Sequence, residues 1–94
     1  MDMTTKIDIL KEVIEKGSKS QTLMVLDNMM EHLDDDLARS VVDPEIITNL
    51  HQMLIEHLGV NPKAMKLKSR VPTRMRRAML FLRAMRNGVN KVED

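Results

Sequence analysis

Ninety-four residues suffice for one small domain and speak against a multi-domain enzyme, while 43% hydrophobic and 31% charged residues place the chain among folded globular proteins. Cysteine is absent, which excludes disulfides, thiolate metal sites and cysteine nucleophiles and fits a reducing cytoplasm. The net charge of +1 hides a division by position: residues 1–59 carry five basic and twelve acidic side chains, a net −7, whereas residues 60–94 carry ten basic and two acidic ones, a net +8.

In chain order, Thr5-Lys6-Ile7-Asp8 offers a variant capping box, Ile7, Leu10 and Ile14 share one helical face, and Gly17 supplies a stop, which predicts a first helix over 5–16. Ser18-Lys19-Ser20-Gln21 is a fuller capping box. Leu23, Leu26, Met30 and Leu33 follow it at helical spacing, giving a second helix over 19–34. The run Asp34-Asp35-Asp36 and the β-branched pair Val41-Val42 weaken the pattern, so 35–42 reads as a fraying end and connector. Asp43-Pro44-Glu45 starts a third helix with a cap, a proline whose missing N–H costs nothing, and an acid at the positive end of the dipole. Its stripe is Ile47, Leu50, Leu54 and Leu58, ended by Gly59. Asn61-Pro62 opens a short helix to about Leu67, Pro72 forces a break, and Thr73–Asn87 forms the last long helix, with a frayed tail expected beyond Gly88. On that last helix Phe81, Met85, Ala78, Leu82, Met75 and Met79 cluster on one side, and Leu80 and Ala84 lie opposite among arginines.

Phe81 is the sole aromatic residue against ten methionines. A methionine-rich core packs adaptably but buries less area per side chain, which leaves a chain of this length marginal as a monomer and predicts self-association. No run approaches the roughly 18 apolar residues of a membrane span. The start Met1-Asp2-Met3 lacks the basic flank and apolar core of an export signal, so the expected setting is the cytoplasm, with no membrane partner.

Few residues are arranged for catalysis. His51 and His57 lie six apart, about 240° around a helix, and cannot clamp one ion; His32 sits among acids on another helix. Asp34-Asp35-Asp36 lacks the alternation, glycine and terminal glutamate of a calcium loop. No glycine-rich phosphate loop, nucleophile elbow or HExxH occurs. The expectation is a protein without catalytic residues, metal or cofactor.

The basic run is the feature with chemical content. Lys63, Lys66, Lys68, Arg70, Arg74, Arg76 and Arg77 place seven cations in fifteen residues, suited to the phosphates of a duplex. Stacking on single strands is disfavoured, because one phenylalanine builds no base platform. Of two helix–turn–helix units, 5–34 would turn an acidic helix toward DNA, whereas 44–67 would present Lys63, Lys66 and the following Lys68. The alternative is internal: the acidic and basic parts neutralise one another. Leu80, Phe81, Arg83 and Ala84 form a second candidate surface, for another copy or a partner.

The succession from Ser18 to Val60, with Leu23, Leu26 and Leu33, the acidic Asp34-Asp35-Asp36 bend, Val42-Asp43-Pro44, and Ile47, Asn49, Leu50, Leu54 and His57, resembles the small terminase subunit of short-tailed bacteriophages. The likeness covers about half the chain. It departs where the family usually carries a basic residue and Ser or Thr before the proline, here Val42 and Asp43. It implies a non-catalytic oligomer that recognises phage DNA and regulates the large terminase, without assigning contact residues.

The combined expectation is an all-α bundle of four to five helices in one domain, 1–94, with an acidic core over 1–59, basic helices over 60–88 and a frayed tail over 89–94. Its function would be that of a DNA-binding accessory protein whose partners are double-stranded DNA, further copies of itself and a large terminase. The rival reading is a small helical adaptor or inhibitor, its arginine-rich last helix docked on an acidic groove of a phage or host protein such as a polymerase or nuclease.

Overall fold

Local capping chemistry sets nearly every helix boundary. The computed structural model describes residues 5–67 and 71–93. Helix α1, Lys6–Glu15, starts at Thr5, whose hydroxyl accepts from the Asp8 N–H at 3.1 Å while the Asp8 carboxylate accepts from the Thr5 N–H at 3.2 Å. Gly17 turns the chain at φ +69°. Helix α2, Lys19–Glu31, is capped by the Ser18 hydroxyl, which accepts from the Gln21 N–H at 3.2 Å.

Residues 35–42 are not a connector. Helix α3, Asp35–Val42, begins where the acidic run stands, because the Asp34 carboxylate accepts from the Leu37 N–H at 2.8 Å and Asp35 and Asp36 occupy the positive end of the dipole. What reads in sequence as the dying end of one helix is the start of the next. Burial of Leu37, Ala38 and Val41 outweighs the weak propensity of the valine pair. Helix α4, Pro44–Leu58, follows directly, with the Asp43 carboxylate accepting from Glu45 and Ile46 N–H at 2.9 and 3.3 Å. Gly59 ends it at φ +71°.

The expected short helix is a 3-10 turn over Pro62–Met65, capped by the Asn61 side chain. Helix α5, Arg74–Asn90, is capped by the Thr73 hydroxyl and runs through Gly88 rather than ending before it. A Cβ at Gly88 would stand 2.8 Å from Val60 Cγ1 and 3.1 Å from Met65 Cγ, so this glycine serves close approach of the 3-10 turn. The expectation of a frayed tail over 89–94 is corrected for 89–92: Val89 is fully buried, Val92 packs on the core, and the Lys19 ammonium donates to the Val92 carbonyl.

Helix α5 is the hub. It packs against α2, α3 and the 3-10 turn, while α1 packs against α2 and α4. Leu10, Ile14, Leu26, Met29, Val41, Leu50, Leu54, Leu82, Met85 and Val89 are fully buried in one shared core. The Cα radius of gyration, 12.4 Å, matches the roughly 12 Å of a compact chain this long, so the acidic and basic parts form one unit. The architecture is the expected all-α one, with five α-helices and no strand among the described residues.

Candidate nucleic-acid interface

The cations of the last third are distributed by α5 and by the turn packed on it. Lys63 lies on the 3-10 turn and Lys66 follows it, both exposed. Because the turn is seated at Gly88, Lys63 borders two hollows, one lined also by His51, Lys66 and Phe81 and the other by Gly88 and Lys91. The lysines thus stand beside the middle and C-terminal half of α5, whereas Arg74, Arg76 and Arg77 occupy its first turns. Lys68 and Arg70 lie outside the described residues. The run that is continuous in sequence is divided by α5: Arg76 lines a groove with Met30 and Leu33, while Lys63 and Lys66 stand on the side of Phe81 and Gly88.

The electrostatics decide between open cations and neutralised ones. Arg86 pairs its Nε with the Asp27 carboxylate on α2. Lys63, Lys66, Arg74, Arg76, Arg77, Arg83 and Lys91 have no carboxylate within 4.0 Å among the described residues. All seven are exposed apart from the half-buried Arg77. The cations also oppose their own helix: α1, α3 and α4 carry acids in the first turn, but α5 carries none and has Arg74, Arg76 and Arg77 where its dipole is positive. An anion at that end would relieve the repulsion and meet unpaired backbone N–H groups.

The second expected surface divides. Phe81 is half-buried against the core, its ring 6.5 Å from that of His51 and tilted by 59°. Leu80 and Arg83 instead line a groove of about 770 Å³ with Met30, Leu33, Met75 and Met79. Ala84 is half-buried on α5. Sequence reading placed Met75 and Met79 on the inward face and missed this groove. The missed clue is the place of Met75, two residues past the cap Thr73 in the first turn of α5, where the side chain is 39% exposed.

His51, the third side of the Phe81 hollow, is pushed below its ordinary pKa of 6.5 by burial, and its Nε2 is buried without a hydrogen-bond partner. Its imidazole is therefore neutral at pH 7. No group of three or more His, Cys, Asp or Glu side chains is placed to hold a metal among the described residues. No described helix is long and apolar enough to cross a membrane. Comparison with protein-family models, with curated proteins and with solved structures finds no match to this chain.

Proposed function

We propose that this protein is a non-catalytic DNA-binding accessory factor that holds the duplex backbone with Lys63, Lys66, Arg74, Arg76 and Arg77. The observation that carries this reading is that these five side chains have no carboxylate partner among the described residues, although the same chain carries twelve acidic residues ahead of them. Lysine and arginine suit phosphate, and a chain with one aromatic residue favours backbone over base contact. In its narrower form, supported by the likeness of residues 18–60 to small terminase subunits, the protein works in a host cytoplasm as an assembly of identical copies, recognising phage DNA and regulating a large terminase.

Fluorescence anisotropy with a labelled duplex tests this. Five phosphate contacts predict that affinity falls roughly 500-fold between 50 and 200 mM salt, from a slope of about −0.9 per contact. Changing Arg74, Arg76 and Arg77 together to Ala should flatten that slope by about 2.7 and weaken binding to all sequences alike. Absence of duplex binding in dilute buffer would leave the adaptor reading in its place.

A further inference from the structure

Helix α5 has a side sunk in the core and a side turned away from it. At about 100° per residue, the buried Ala78, Leu82, Met85 and Val89 fall within roughly 60° of one another, and Arg76, Leu80, Asn87 and the C-cap Lys91 fall within roughly 60° on the opposite side. Arg76, Asn87 and Lys91 are exposed and Leu80 is half-buried. No acidic residue occurs in α5 or in the 3-10 turn beside it.

Cations stand on both margins of this outward face. Arg76 and Arg83 edge the side toward Met30 and Leu33. Lys63 and Lys66 stand on the side of Phe81 and Gly88, carried there by the turn that seats on Gly88. None of the four has a carboxylate within 4.0 Å among the described residues. Between the margins lie Leu80, Ala84 and Asn87, with half-buried Arg77 toward the start of the helix and Lys91 at its end.

Two basic margins with a largely uncharged ridge between them match a groove that has a phosphate strand on each side. The major groove of a duplex, about 12 Å wide, admits an α-helix, whereas the minor groove, about 6 Å wide, does not. From Leu80 to Asn87 the helix rises about 10 Å, roughly three base-pair steps. Asparagine pairs with N6 and N7 of adenine together, and apolar side chains such as Leu80 and Ala84 suit the thymine methyl. One aromatic residue gives no stacking platform, but base edges in a groove are read by hydrogen bonds and methyl contacts without one. A uniformly acidic protein surface would satisfy the margins and leave Leu80 and the Asn87 amide facing carboxylates.

We propose that the outward face of α5 lies in the major groove of duplex DNA, with Arg76 and Arg83 on one strand, Lys63 and Lys66 on the other, and Asn87 selecting adenine. The proposal rests on the duplex-binding reading above and adds to it the groove, the reading helix and the base.

Selection of duplexes from a randomised pool by the full chain, followed by anisotropy on the enriched duplex and a scrambled one, tests it. The expected result is an enriched site containing an A·T pair, bound at least tenfold more tightly than the scrambled duplex. Asn87→Ala should remove about fivefold or more of that preference, while affinity for the scrambled duplex and the salt slope stay as in the parent chain. Replacing the selected adenine by 7-deazaadenine, which deletes the N7 acceptor, probes the same contact without altering the protein. It should weaken binding of the parent chain and leave Asn87→Ala indifferent; should circular dichroism find that variant unfolded, the altered base decides on the parent chain alone. Duplex binding with no enriched sequence, or a preference that survives either change, overturns this inference and leaves the backbone reading in place. Absence of duplex binding in dilute buffer overturns both.

Discussion

The acidic front of the chain and its basic last third use their charges in opposite ways. In the front, carboxylates are spent on the backbone: Asp8, Asp34 and Asp43 each accept an N–H at a helix start. In the last third a neutral threonine does that work, and arginines crowd the end of the dipole that repels them. These three acids are explained by folding. Among the described cations of the last third, only Arg86 is paired with a carboxylate.

If the last third is held by shape rather than by charge, its most damaging small change is steric. Gly88→Ala gains roughly 0.5–1 kcal/mol of helix propensity but forces Val60 and Met65 aside at about 1–3 kcal/mol, so urea unfolding should show a net loss of stability. In the front, Asp43→Ala removes an acceptor for two N–H groups and should cost about 1 kcal/mol, within the usual 0.5–2. The mirror experiment in the last third has the opposite sign. Arg74→Glu should raise stability by about 0.3–1 kcal/mol through the dipole while weakening duplex binding; a variant that loses both would place Arg74 inside the fold's own accounting.

The smallest effect belongs to His51, which sits between the two regions. Its folded pKa is lowered, so on acidification the unfolded chain takes up the proton first, and stability falls as pH drops below about 6.5 toward the lowered value. Above 6.5 the contribution is flat. Melting temperatures at pH 7.5 and 5.5 should differ less in His51→Gln than in the parent chain, which also separates this group from carboxylates titrating lower.

Sequence reading located the elements whose signals are local. Asp43-Pro44, Gly17 and Gly59 do in the structure what their residue types predict, the two glycines at φ near +70°. It failed where a residue answers to a distant neighbour. Gly88 looks like a helix stop until Val60 and Met65 are known to press on it. Asp34-Asp35-Asp36 looks like an end until Leu37, Ala38 and Val41 are known to be covered. Of the proposed contact residues, exposure followed from charge type, but the way Lys63 and Lys66 are carried to the flank of α5 did not, because the packing at Gly88 decides it. The groove was illegible for the same reason: its two sides, Met30 with Leu33 and Met75 with Met79, are more than forty positions apart in sequence.

The hub position of α5 has a consequence for the order in which this molecule becomes itself. The helix on which α2 and α3 pack is synthesised after both of them, so during synthesis these earlier helices wait with Leu26, Met29 and Val41 short of their cover. A nascent chain arrested before Thr73 should therefore be protease-sensitive over α2 and α3, the helices that pack on α5.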